Sequence, residues 1–286
     1  LLFINKSSAL IINNIIMLTA CITILLGTIY PIIIEVLTNK RISVGTPYFN
    51  STVLPILLPG FLLMSVAPAL SWQTNKLPKF KIYFFVFLTM SILSFVISYL
   101  TYFNGWGFIG ITLGLIIISA SLLSMYHNYI KHQLKNFFIY NNALIAHIGV
   151  GVSIIGVTCS SIFQAEHKHS FFLNESIKVG KYTLKLEDTK IFEKDNFQEL
   201  MATFFLYNND KILSTIKPSK RYYHTSKMIT TEAGIYHHPL QDFYIVLGNQ
   251  QNEIWSIKIY QNPLVNFIWL GVVIMICAGI LGLGKK

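Results

Sequence analysis

Few side chains in this sequence bring chemistry into its apolar stretches. Glu35 lies at the far end of the first, and His147 lies inside the fifth, in Ala146-His147-Ile148-Gly149-Val150-Gly151. An ionisable group in hydrocarbon is costly and marks a functional site by default. A buried imidazole either hydrogen-bonds a neighbouring helix or serves as a neutral donor to a haem iron or another metal. Gly149, Gly151 and Gly156 strip bulk from the same stretch, which suits a bound group and close helix packing equally. No chain of carboxylates offers a proton relay and no charged ring suggests a pore, which argues against a pump or channel. His127 and His132 flank a short connection and read as interfacial. His167, His169, His224, His237 and His238 fall in a polar segment, with no Cys or acidic partner at ligand spacing to make a metal site. Lys220-Arg221-Tyr222-Tyr223 could meet a carboxylate but reads more simply as a solvated strand end. Ser43-Val44-Gly45-Thr46-Pro47-Tyr48-Phe49-Asn50 is either an interfacial aromatic belt or a loop roofing a pocket. Cys21, Cys159 and Cys277 sit in separate apolar stretches without CxxC spacing and read as small buried residues. No Ser/His/Asp set, phosphate loop or GxGxxG is present.

The elements that must position these residues follow from hydropathy and charge. Of 286 residues, 53% are hydrophobic and 12% charged, about half the charged share of a soluble domain. Residues 1–163 hold one acid, Glu35, against eight Lys or Arg, whereas 164–262 holds eleven acids and twelve bases. The two parts suit different solvents. Six stretches, 10–36, 53–70, 82–103, 108–125, 137–163 and 264–283, approach or exceed the roughly 20 apolar residues that span a bilayer. Prolines 55, 59 and 68 fall in the second, where bilayer helices tolerate them. With the N-terminus inside, the inner segments hold Lys6, Lys76, Lys79, Lys81, Lys131, Lys135, Lys285 and Lys286, and the outer short loops only Lys40 and Arg41. That places 164–262 outside.

The outer segment reads as β. Lys181-Tyr-Thr-Leu-Lys-Leu-Glu187 alternates polar and apolar, and 201–206, 242–247 and 253–260 are further strands, divided at Asn208-Asn209-Asp210, Lys217-Pro218 and Gly248-Asn249. The expected fold is an α-helical polytopic membrane protein of about six transmembrane helices, with a small all-β extramembrane domain inserted before the last helix. Its parts are a five-helix membrane domain (1–163), a β domain shaped as a small sandwich or open barrel (164–262) and a C-terminal helix (263–286). The net charge of +10 sits beside apolar spans, so lipid, not nucleic acid, is the expected partner.

Several segments, in order, resemble one family. They are Ser8-Ala-Leu-Ile-Ile-Asn-Asn14, Leu25-Leu-Gly-Thr-Ile-Tyr-Pro31, Ser43-Val-Gly-Thr-Pro-Tyr-Phe-Asn50 and Ala146-His-Ile-Gly149. Lys220-Arg-Tyr-Tyr223, Met228-Ile-Thr-Thr-Glu-Ala233, Asp242-Phe-Tyr-Ile-Val-Leu-Gly248 and Pro263-Leu-Val-Asn-Phe-Ile-Trp-Leu-Gly271 complete the set. Together they resemble the C-terminal half of CcmF-type haem lyase subunits of cytochrome c maturation. The resemblance implies part of a membrane enzyme that positions haem for thioether attachment to the CxxCH cysteines of apocytochrome c. It implies haem as cofactor, with His147 an axial ligand of its iron, matching the family's second outer haem-ligating histidine. The implied partners are the N-terminal half of the lyase, a haem chaperone, a thiol-reductase-like lyase partner and apocytochrome c. The implied location is the bacterial inner or mitochondrial inner membrane, multi-pass, with 164–262 on the outer side. The family's tryptophan-rich haem-binding segment and its other haem-ligating histidines have no counterpart here, so the chain is expected to be a truncated form or the C-terminal product of a split gene. The alternative from another class is a noncatalytic scaffold subunit that docks maturation partners through the outer domain.

Overall fold

The computed structural model describes residues 5–40, 42–72, 80–101, 103–132, 137–209, 211–251 and 254–284. The chain forms two compact units, one of residues 1–155 and 269–286 and one of residues 156–268.

The first unit is helical. Its helices are α1 (Lys6–Thr38), α2 (Thr46–Val66), α3 (Phe80–Leu100), α4 (Gly105–His132), the short α5 (Phe137–Tyr140), α6 (Asn142–Ile162) and α7 (Val265–Leu283), the last two continuing into or out of the second unit. All but α5 are long and apolar enough to cross a membrane. Asn5 caps α1, its Oδ1 accepting from the Ser8 amide at 2.9 Å, and Asn39 in the left-handed conformation closes it. α2 runs through Pro55 and Pro59 and ends in a 3-10 turn, Ala67–Ala69, that contains Pro68. The fifth predicted span divides at Asn141, which is buried: its Nδ2 donates to the Phe137 carbonyl and its Oδ1 accepts from Asn128, each at 2.8 Å.

α4 is the most enclosed helix, with Ile117 and Ser121 fully buried. The outward faces of α1, α3 and α7 carry exposed Leu, Ile, Val and Phe, a surface suited to apolar surroundings. Two helix crossings rest on glycine. A Cβ at Gly151 would stand 2.8 Å from the Gly114 carbonyl oxygen, and one at Gly149 would stand 2.6 Å from that of Gly271. α6 therefore touches α4 and α7 backbone to backbone.

The second unit is a β-sandwich. Its strands are β1 (Ala165–Phe171), β2 (Ser176–Val179), β3 (Tyr182–Glu193), β4 (Phe197–Asn208), β5 (Lys211–Ile216), β6 (Ser219–Tyr223), β7 (Met228–Glu232), β8 (Gly234–Tyr236), β9 (Gln241–Gln251) and β10 (Ile254–Pro263). One sheet has the order β1-β10-β9-β8; the other has β2-β3-β4-β6-β7, with β5 also paired to β4. The period-2 pattern sends Leu184, Leu186, Phe204 and Leu206 inward from one sheet and Phe243, Ile245, Leu247, Ile257 and Ile259 inward from the other. Lys217-Pro218 splits β5 from β6, and the two share successive stretches of β4, at Phe204–Asn208 and Phe197–Met201. Proline cannot donate to the ladder, so the break falls there.

Candidate functional site

His147 is the sixth residue of α6, and the fifteen residues after it carry the helix about 22 Å further, to Ile162. Its ring is half-buried, and Nδ1 is enclosed without a hydrogen-bond partner. An unpaired buried nitrogen costs about 1–3 kcal/mol.

The ring lines a cavity of about 350 Å3. Ala143, Leu144 and His147 form its α6 wall; Ala9, Leu10 and Asn13 come from α1, and Leu63, Met64, Ala67 and Pro68 from the end of α2. α1 begins at this end of the bundle, α2 ends there and α6 begins there, so helix spacing alone brings the three walls together. The lining is apolar apart from His147, Asn13 and Lys6. The Lys6 ammonium lies 5.6 Å from the centroid of the Trp72 ring, a cation–π contact, and the Lys6 amide donates to the Ser71 carbonyl at 3.0 Å.

A second cavity of about 520 Å3 adjoins the first and shares Lys6, Pro68, Trp72, Ala143 and Leu144 with it. Its further walls set polar groups among apolar ones: Ala69 and Leu70 stand beside Ser71, Tyr83, whose hydroxyl is 2.7 Å from that of Ser124, His127, Asn128 and Tyr140. His127, expected to be merely interfacial, thus faces a cavity. Lys6 stands where the apolar and polar compartments meet. Cofactor sites are typically concave, largely apolar and furnished with a few polar groups, about 300–1,000 Å3 in size. The residues present fit a flat apolar macrocycle with a metal at its centre and acid groups at one edge: a nitrogen without a partner, aliphatic walls and a cation.

Other candidates resolve differently. Gly149 and Gly151 are occupied by helix crossings and leave no space for a ligand. Tyr48 is committed to α1: its ring packs against Gly27, and its hydroxyl donates to the Thr23 carbonyl at 3.2 Å, joining α2 to α1. Of the cysteines, Cys159 is buried, but Cys21 and Cys277 are exposed on outward helix faces, a correction to the expectation that all three are buried. Hydropathy marks a span as apolar without saying which way each residue turns. The side chain of His132 and the cations Arg41, Lys76, Lys79, Lys135, Lys285 and Lys286 lie outside the described residues.

In the β unit, Lys220 and Arg221 are committed internally. Lys220 donates to Asn249 Oδ1 at 2.9 Å. Arg221 Nε donates to Glu199 at 2.9 Å, and its guanidinium lies 5.1 Å from the centroid of Phe197. Donation from Ser219 and Arg221 holds the Glu199 carboxyl below the usual range. His169 Nε2 is 3.2 Å from Glu175, and His224 Nε2 is 3.0 Å from Glu193. His237 Nδ1 is 2.8 Å from the buried Asp242 carboxylate, which also accepts from the His238 amide at 3.4 Å. Among the described residues, no three His, Cys, Asp or Glu side chains are gathered to hold a metal ion.

Fold and cavity define a multi-pass membrane protein that carries a β-sandwich before its last helix and a histidine-lined cavity among its helices. Residues 162–263 match the CcmF C-terminal β-sandwich. Over 297 residues the chain is 28% identical to the cytochrome c-type biogenesis protein CycK of Rhizobium meliloti, covering 99% of this chain and 44% of that protein. It is 28% identical over 282 residues to the cytochrome c-type biogenesis protein CcmF of Escherichia coli, covering 97% and 43%. The structure of a cytochrome c haem lyase CcmF superposes with a TM-score of 0.76 at 16% identity, over 98% of this chain and 46% of that one, so the two share a fold. The chain is related over nearly its whole length to the CcmF-type proteins of cytochrome c biogenesis and corresponds to their C-terminal half. It spans less than half the length of the curated relatives it matches.

Proposed function

We propose that this chain is part of a membrane haem lyase and that His147 is an axial ligand of haem iron inside the membrane. The observation that carries the reading is the unpartnered Nδ1 of His147 beside an apolar cavity among α1, α2 and α6. The haem supplies vinyl groups, across which cysteine thiols of apocytochrome c add to form thioethers. The chain's own part is positioning: His147 fixes the iron, and the aliphatic residues of α1 and α2 exclude water and limit rotation of the ring system. Positive charge at the ends of the short connections supports an orientation with the N-terminus inside. On that orientation His147 lies in the inner half of the bilayer, and the β-sandwich faces the periplasm or intermembrane space, where it meets apocytochrome c, the haem chaperone and the thiol-reductase-like partner. The N-terminal half of the lyase, in the same or a separate chain, completes the unit.

Expression of this chain with a complete upstream half, in cells lacking their own lyase, tests the reading. Haem stain of a reporter cytochrome c measures covalent attachment, and an optical spectrum of the purified protein reports ligation. His147→Ala is expected to abolish maturation and the bound-haem spectrum while leaving membrane insertion intact. Full maturation by His147→Ala would remove the ligand role and leave a docking scaffold as the better description.

A further inference from the structure

The cavity at His147 has an apolar and a polar compartment, and one cation stands at their junction. We propose that Lys6 binds the carboxylates of the tetrapyrrole whose iron His147 holds, so that the acid edge of the ligand lies in the polar compartment. The proposal rests on the reading of His147 as a haem ligand and names the chemistry at the other end of the same site.

Four observations carry it. Lys6 lines both cavities, so one ammonium reaches the boundary where a ligand would change from apolar ring to charged edge. Its ammonium keeps hydrogens for an acceptor: the Trp72 ring takes one face of it, and among the described residues no carboxylate pairs with it. The second compartment adds groups suited to a carboxylate, the Tyr83–Ser124 hydroxyl pair and His127. The apolar compartment has no such groups beyond Asn13 and His147, so an acid edge is excluded from it by desolvation. An amphipathic ligand is therefore oriented in one sense only, ring toward His147 and acids toward Lys6. That orientation determines which edge of the macrocycle, and hence which vinyl groups, points away from the helices.

The test uses the complete protein, both halves assembled, in lipid nanodiscs and freed of haem. It is titrated with ferric protoporphyrin IX and, separately, with its dimethyl ester, in which both carboxylates are blocked. Wild type is expected to bind the free acid about ten-fold more tightly than the ester, in line with one charge-assisted hydrogen bond. Lys6→Ala is expected to lose that preference by weakening the free acid alone, and Lys6→Arg to restore it. Equal weakening of both ligands, or of neither, would overturn the assignment. Oleate, an acid without a macrocycle, is expected not to displace the ester; displacement would mark the cavity as a fatty-acid site and overturn it as well. His147→Ala reports separately: it is expected to abolish the axial-histidine absorption band with both ligands. Persistence of that band would remove the reading on which the proposal rests, whatever Lys6 does.

Discussion

At the residue scale, the β-sandwich is held by pairs that do not advertise themselves by type. Glu199 takes donors from Ser219 at 2.7 Å and Arg221 at 2.9 Å, and Arg221 also reaches Glu232 at 3.7 Å. Because folding depresses the Glu199 pKa, its contribution to stability is present above its ordinary value of 4.5 and is lost as pH falls through the folded value. Acid unfolding of the β domain, followed by hydrogen exchange on β4 and β6, is therefore expected to begin below about pH 4.5 and to be milder in Glu199→Gln, which has no such carboxyl to protonate. At neutral pH the same variant is expected to be less stable by roughly 1–2 kcal/mol, since Gln keeps one acceptor and loses the charge. Asp242 is the buried acceptor for the His238 amide and Asn266 Nδ2 and pairs with the exposed His237 ring, so Asp242→Ala is expected to cost about 1–3 kcal/mol by leaving the two part-buried donors unpaired. Unchanged thermal unfolding of the β domain would refute that. His147 could be singled out from sequence because an imidazole within an apolar stretch is rare. Lys6 could not, because a cation at the start of a span reads first as a topology marker, and its place beside Trp72 and the α6 wall depends on contacts distant in the chain.

At the element scale, the glycines of α6 act as contact points, and the packing predicts which of them tolerate a methyl group. Gly151→Ala must push α6 from α4 and is expected to destabilise the helical unit by about 1–3 kcal/mol, read as a lowered unfolding midpoint in detergent. Gly279 in α7 has open space around its Cβ position, so Gly279→Ala is expected to be neutral or stabilising by up to about 1 kcal/mol. Similar effects for both would mean the α4–α6 contact is not close. Period-2 alternation located β3, β4, β9 and β10 because their inward faces are aliphatic or aromatic and fully buried. β1, β6 and β7 carry His, Lys, Arg and Thr at alternate positions and have only partly buried faces, so alternation is weak in them. Their strand conformation comes from pairing, β1 with β10 and β6 with β4 across long stretches of chain, and β7 with β6. The division of the fifth span at Asn141 follows a similar logic, since the buried amide is satisfied by Asn128 of α4.

At the scale of the whole molecule, the charge distribution makes a topology prediction. A cysteine replacing Lys211 at the exposed start of β5 is expected to react with a membrane-impermeant maleimide from the outer side, and one replacing Lys81 at the start of α3 only after permeabilisation. The reverse pattern would invert the proposed orientation. The sequence by itself determined the class of molecule, six apolar spans and a β domain before the last, because transfer of side chains between water and hydrocarbon depends on composition over some twenty residues and little on what packs beside them. It also carried the relationship to the CcmF-type proteins and the candidacy of His147. Only the tertiary structure decided what surrounds His147, which glycines touch backbone, that Arg221 is spent inside the β domain, and that Lys6 joins two cavities. Those outcomes depend on which residues, far apart along the chain, come within a few ångströms of one another, and helix and strand periodicity leave that open until the elements have packed.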